Sequence, residues 1–280
     1  MSMLFTALAI LLLGAVAALL LGRWPLAATL AGVSTAIAGG AIGMVPAALT
    51  LIRGETTHYS RPWSIPGGSL TLGLDPLSAW FLIPICVVTA AAAVYGGRYL
   101  WYGRDRWALG PAWFFANILT ASMMVVVVAR NGVLFLVAWE IMSLASYFLV
   151  TIDDESAEVR EAGRTYLIAT HIGTAFLLAL FLLLGRSAGS LDFAAIAKAP
   201  PPTAGLAGVL FVFAVVGFGT KAGFMPFHVW LPEAHPAAPS HVSAVMSAVM
   251  VKTGIYGIIR TLGLLPDGPA WWGWLLVGVG

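Results

Sequence analysis

Charge is what this chain lacks most. Only 9% of its 280 residues are Asp, Glu, Lys or Arg, against roughly 25% in a soluble domain. Hydrophobic residues make up 60%. So few charges cannot dress the surface of a water-soluble globule, and the composition defines an all-α polytopic membrane protein instead. A net charge of +2 gives no support to nucleic-acid binding. Cysteine is nearly absent too. The single Cys86, in FLIPICVV, excludes an internal disulfide and leaves no thiolate pair for a metal, so it reads as a small packing or lipid-facing residue. There is no phosphate loop, dinucleotide fingerprint or cysteine cluster, and no nucleotide, haem or iron–sulfur centre is expected in this chain. The first 22 residues carry no Lys or Arg ahead of Arg23, which favours a spanning helix over a cleaved leader.

What the chain has is a succession of apolar runs near the ~20 residues that cross a bilayer. They predict spans at about 4–21, 26–52, 76–96, 112–129, 133–150 and 166–184, an interrupted seventh from Leu206, and an eighth at about 241–262. The polar stretch RGETTHYSRPWSIPGGSLTLG, residues 53–73, predicts a short extramembrane hairpin. The tight turn Arg130-Asn131-Gly132 sets the fourth and fifth spans antiparallel. DDESAEVREAGR and RSAGSLDFAAIAKAPPPTAG read as loops on either side of the sixth. A ninth span opens at Ala270 and reaches only Gly280, about half a crossing, so the chain is expected to be a fragment or one piece of a larger assembly. Three parts follow: residues 1–110 with three helices and the hairpin, 111–262 with helices 4–8 and the broken seventh, and 263–280 with the start of the ninth. Charge does not orient them. With the N-terminus outside, Arg23, Arg98, Arg104, Arg106, Arg160 and Arg164 oppose Arg53, Arg61, Arg130, Arg186, Lys198 and Arg260, and the positive-inside rule is silent.

The few charges at mid-span carry the chemistry. Glu140 lies in NGVLFLVAWEIMSLASYFLV; Lys221 sits among Gly217, Gly219 and Gly223, five residues before Pro226; Lys252 is near the middle of the eighth span. A cation at the bilayer centre costs at least ~2.5–3.5 kcal/mol. Pro226, Pro232, Pro236 and Pro239 break backbone that protein or water must then satisfy. Both costs in one place predict a polar, hydrated path with Glu140, Lys221 and Lys252 as proton-transfer residues. Glu140 and Lys221 form the natural pair, expected within about 6 Å because each perturbs the proton affinity of the other. The structural alternative is an ion pair that only locks two helices. His171 either relays protons or hydrogen-bonds a neighbouring helix. His228, His235, His241 and Glu233 match no zinc spacing, and the prolines deny them a common helical face, which argues against a metal. His228 and His235 instead bracket the broken segment, and His241 opens the eighth span near its water-accessible end; all are candidate relays. Trp230, Trp271, Trp272 and Trp274 read as interface anchors. No residue has a catalytic role.

KAGFMPFHVWLPEAHPAAPSHVSAVMSAVMVKTGIYGIIR closely resembles the signature of the antiporter-like subunits of respiratory complex I and Mrp-type antiporters. WEIMSLASYFLV is similar to their fifth-helix signature, and with TYLIATHIGTAFLLALF the wording is most similar to the large membrane subunit of group 4 nickel–iron hydrogenases, the hydrogenase-4 and formate hydrogenlyase type. The resemblance implies a fold of about fourteen helices with two inverted five-helix repeats, each with a broken helix, and the N-terminus on the outer side. It makes Glu140 and Lys221 the coupling pair of the first half-channel and Lys252 the central relay. It implies other membrane subunits as partners, a peripheral arm that holds nickel–iron and iron–sulfur centres, protons or sodium as the coupling ion, and the inner (plasma) membrane as the site. These 280 residues hold the first repeat and barely enter the second. The leading function is proton translocation coupled to redox chemistry in partner subunits. The alternatives are a Mrp-type cation/proton antiporter and a non-conducting scaffold.

Overall fold

Backbone inside hydrocarbon must satisfy its own N–H and C=O groups, and a helix does so within one segment. The computed structural model describes residues 1–65 and 67–279. Pro66, in the predicted hairpin, and Gly280, at the end of the ninth span, lie outside them. The chain runs α1 (Ser2–Leu20), α2 (Pro25–Arg53), β1 (Thr57–Pro62), β2 (Ser69–Leu74), α3 (Pro76–Tyr102), α4 (Leu109–Val128), α5 (Gly132–Val150), α6 (Ala157–Ala188), α7 (Phe193–Ile196), α8 (Ala204–Ala222), α9 (Leu231–Ala237), α10 (Ser240–Val245), a π-helical turn (Met246–Met250), α11 (Val251–Leu262) and α12 (Ala270–Val279). Among the described residues eight helices are long and apolar enough to cross a membrane, with Ser240–Leu262 counted as one.

Local chemistry sets the ends. Pro25 and Pro76 open α2 and α3, where a missing N–H costs nothing. The Asp75 side chain caps α3 by accepting from Ser78 N at 2.8 Å, and Asn131 caps α5 by accepting from Val133 N at 2.9 Å. The expected loop at 153–164 is in its second half the start of α6. Ser156 caps that helix, and Glu158 lies in its first turn, where a carboxylate favours the dipole. The expected loop after the sixth span is likewise interrupted, by the rest of α6 and by the single turn α7.

β1 and β2 pair antiparallel from Thr57↔Leu74 to Pro62↔Ser69. Leu72 bridges to Ala129 and Arg130 N donates to Thr71 O, so the hairpin covers one side of the α4–α5 turn, while Asn131 bridges to Asp192 ahead of α7 on the other. Beneath it α4 is the most buried span, with Met123, Met124 and Val126 to Ala129 fully enclosed. Cys86 is 1% exposed, a packing residue. α8 and α11 approach at Gly254, where an added Cβ would lie 2.5 Å from the Phe218 carbonyl oxygen.

Backbone there cannot yield as a side-chain tip would. Gly254→Val is expected to force α11 off α8 and lower stability by about 1–3 kcal/mol. Thermal unfolding in detergent reads this directly. An unchanged midpoint would mean that the two helices are not held at this separation.

Candidate functional site

The seventh span is discontinuous where the sequence places the break. α8 ends at Ala222, and Gly223 turns the chain with φ +76, a conformation glycine adopts without strain. Phe224 N then reaches back to Gly219 O at 2.9 Å. The last carbonyls of a helix have no partner of their own. Trp230 supplies one: its indole N–H donates to Thr220 O at 2.8 Å, and its ring is 0% exposed. Trp230 is therefore no interface anchor. It plugs the break, because the indole offers one donor and a large apolar body. Trp272 is also buried, at 5%, stacked on Phe211 at 4.4 Å. Trp271 and Trp274 are exposed.

Lys221 sits in the last turn of α8, where the helix dipole favours a cation. It is 2% exposed. Its ammonium donates to Ser143 Oγ of α5 at 2.9 Å and to Tyr166 OH of α6 at 3.0 Å. It also lies 5.7 Å from the centre of the Trp139 ring and 5.2 Å from that of Tyr166, close enough for their faces to attract it. Tyr166 OH continues to Ser146 Oγ at 2.5 Å. Lys221, Tyr166 and Ser146 form a chain of groups that both give and take protons, apart from the ammonium itself.

Glu140 does not join Lys221 in a direct ion pair. Its Oε2 lies 3.3 Å from His171 Nε2. The reason is helical phase. Ser143 faces the buried side of α5, whereas Glu140 stands beside Val137, Ile141 and Leu144 on the exposed side. His171 Nδ1 meets Leu167 O at 2.8 Å. The Glu140–His171 contact lies one helical turn of α5 from the serine that binds Lys221.

Lys252 lies on the exposed side of α11. Val251 N–H bonds Met246 O in the wider π turn rather than Ser247 O, and the Lys252 ammonium takes the bypassed Ser247 carbonyl. Such turns recur at functional sites. His235 Nδ1 meets Ser243 Oγ at 2.8 Å, tying the broken segment to α10. His228 Nδ1 is buried without a partner. His241 is 5% exposed, enclosed rather than at a watery end. Among the described residues no three His, Cys, Asp or Glu side chains gather as metal ligands would.

A second cluster holds the opposite end of α11. Asp75 receives both terminal nitrogens of Arg260, at 2.7 and 2.9 Å, and Arg130 at 3.2 Å. Both arginines also donate to Ser78 Oγ, at 2.7 and 3.1 Å. Tyr256 OH donates to Val127 O at 2.6 Å and accepts from Arg260 Nε at 3.1 Å. Neither Asp75 nor its partner Arg260, 185 residues away, stands out in the sequence as a site residue.

The bundle of apolar helices, the broken helix and the buried lysine define a class of multi-pass membrane protein. Residues 129–279 match the family described as NADH:quinone oxidoreductase/Mrp antiporter, TM, and the chain belongs to that family. It is 41% identical over 268 residues to hydrogenase-4 component B of Escherichia coli K12, covering 93% of this chain and 39% of that protein. It is 37% identical to NADH-quinone oxidoreductase subunit N of Desulforudis audaxviator, covering 82% and 46%. The Mrp complex from Dietzia sp. DQ12-45-1b contains a chain that superposes with a TM-score of 0.82 at 29% identity, over 99% of this chain and 30% of that one. The chain thus spans less than half the length of each.

Burial pushes the Asp75 carboxyl up, but Arg260, Arg130 and the Ser78 N–H outweigh it and hold it well below the usual carboxylate range. A depressed folded value gives stability that is complete above about pH 4, the unfolded value, and is lost as pH falls through the folded one. Asp75→Asn is therefore expected to lower stability by about 1.5–3 kcal/mol at pH 7, with a smaller deficit at pH 3. Thermal unfolding at both values measures it, and equal midpoints at pH 7 would mean that the cluster is not cohesive.

Proposed function

We propose that this chain forms the first half-channel of a proton-translocating membrane subunit in a hydrogenase-4/formate hydrogenlyase-type or complex I-like oxidoreductase. The observation that carries the reading is Lys221: a buried amine at a helix break, satisfied by two hydroxyls and two ring faces with no carboxylate in direct contact. A full ion pair pins a lysine as an ammonium. Hydroxyls can both accept from an ammonium and donate to a neutral amine, so this setting accommodates either state. The Glu140–His171 contact on the neighbouring turn sets a carboxyl beside an imidazole, two groups that can exchange a proton. A shift of charge there, driven by a partner subunit, changes the field at Lys221 and moves its proton.

Lys252 receives that proton and passes it on. Lipid offers an ammonium no partner, so in the assembled protein the face that carries Lys252 meets further protein or water. Redox chemistry, with its nickel–iron and iron–sulfur centres, belongs to partner subunits and a peripheral arm, and the assembly lies in the plasma membrane with the N-terminus outward. Cation/proton antiport without a redox partner is a second reading, favoured by the superposition along 99% of the chain on the Mrp chain. Co-purification with nickel- and iron-containing subunits separates the two. A bare scaffold gains nothing from three costly mid-span ionisable residues.

Lys252→Met keeps most of the stem's bulk and removes the amine, so assembly survives while proton uptake per redox turnover falls at least tenfold in membrane vesicles. Lys252→Arg falls as far, because a guanidinium does not release its proton in proteins. Wild-type uptake in Lys252→Met would remove this residue from the path, and the same result in Lys221→Met would overturn the reading itself.

A further inference from the structure

His241 is enclosed and its chemistry is unmet. Both ring nitrogens are buried without a hydrogen-bond partner. A neutral imidazole carries one donor and one acceptor, and leaving both unpaired in an apolar setting is unfavourable. The surroundings are nevertheless built around the ring. At Gly96 of α3 an added Cβ would lie 2.7 Å from His241 Cδ2. Tyr99 of α3 and Trp113 of α4 flank the imidazole with centroids at 5.8 and 6.3 Å. Ala36 of α2 and Leu149 of α5 complete the enclosure. Among these described residues around the ring, Tyr99 is the titratable one.

The ring lines a small cavity of about 30 Å³, with Thr89, Ala93 and Thr120 among its walls. One water needs ~10–15 Å³ of this measure and two to four polar partners. The Thr89 and Thr120 hydroxyls donate to Ile85 O and Ala116 O, at 2.6 and 3.0 Å, and are left to accept, while the imidazole supplies one donor and one acceptor. The cavity also has a position in the fold. A larger pocket of about 530 Å³, lined by Arg106, Asp154 and Arg160, occupies the neighbouring end of α4 and α5 and is walled by Ala112, Phe115 and Phe148. The His241 cavity is walled by Trp113, Ala116 and Leu149, on the same two helices and extending deeper along α4, to Thr120. Leu149, also in its wall, stands one turn of α5 from Ser146, which is about 4.5 Å along the axis. Ser146 is already joined to Tyr166, and Tyr166 to Lys221.

We propose that this cavity binds water against His241, and that the ring and its water pass protons from the Arg106–Asp154–Arg160 pocket to the Ser146–Tyr166–Lys221 chain. One ring nitrogen takes a proton from the pocket-side water while the other gives its own to the inner side. The imidazole ends neutral in its other tautomer, and one proton has moved inward. Exchange of the tautomer through the bound water resets it. The proposal rests on the proton-transfer reading of Lys221 and adds where those protons come from.

The test uses membranes that contain the assembled complex. Deuterium exchange at the imidazole C2–H, followed by mass spectrometry of the His241 peptide, reports whether water reaches the ring. The expected result is measurable exchange with a sigmoidal pH dependence, slowed at least tenfold by Ala93→Val, which narrows the cavity and leaves the histidine in place. Proton uptake per redox turnover is expected to fall at least tenfold in His241→Phe, which keeps an aromatic ring between Tyr99 and Trp113. Absence of exchange in the wild type over days would overturn the proposal, as would full uptake in His241→Phe, since either makes the ring a dry packing element. Loss of uptake in Lys221→Met beside full uptake in His241→Phe rejects only the inlet assigned here. Full uptake in Lys221→Met rejects the reading on which it stands.

Discussion

A lysine amine inside a membrane protein has to be solvated by the protein itself, and the architecture around Lys221 meets that demand. The helix that carries it stops one residue later, which turns the negative end of its dipole towards the charge. α5 contributes Ser143, α6 contributes Tyr166, and Trp139 adds a ring face. The break that makes this possible leaves carbonyls unpaired. Trp230 folds back over them and packs its ring against Tyr166 with centroids 5.0 Å apart. The plug and the proton ligand therefore touch, and the broken segment cannot move without disturbing the lysine's hydroxyl partner.

The two polar clusters treat charge in opposite ways. At one end of α11 the Arg260 guanidinium meets the Asp75 carboxylate in a two-pronged contact, with Arg130, Ser78 and Tyr256 closing the network. Such contacts fix geometry as well as charge, and this one ties α3, the end of α4 and α11 together. Around Lys221 the partners are hydroxyls that accept or donate with equal ease, and Glu140 meets a histidine instead of neutralising the lysine. The first cluster fixes its charges in place, and the second leaves its lysine among neutral partners.

Much of this was legible in the sequence. Apolar runs are long and separated by turn chemistry, so the eight spans could be counted, and Glu140, Lys221, Lys252 and the break at Gly223–Pro226 stand out because charge and proline are costly at that depth. Their partners were not legible. Whether Glu140 meets Lys221 or His171 depends on the phase of α5 against α6 and α8, and hydropathy carries almost no phase information in helices that are apolar all round. Tyr166 and Ser143 look like ordinary helix residues until α8 delivers an amine between them. Trp230 resembles the tryptophans that line interfaces, and only its hydrogen bond to the Thr220 carbonyl at the helix break reveals its task. The start of α6 was hidden by its charges, which read as loop although Ser156 and Glu158 are what a helix start requires.

The central claim is that Lys221 works by releasing its proton, not by being positive. Lys221→Arg separates these, since arginine keeps the charge and the donors for Ser143 and Tyr166 but stays protonated. The measurement is proton uptake per redox turnover in vesicles that contain the assembled complex. The account predicts normal assembly with uptake reduced at least tenfold. Uptake equal to that of the wild type would contradict it and leave Lys221 a fixed charge.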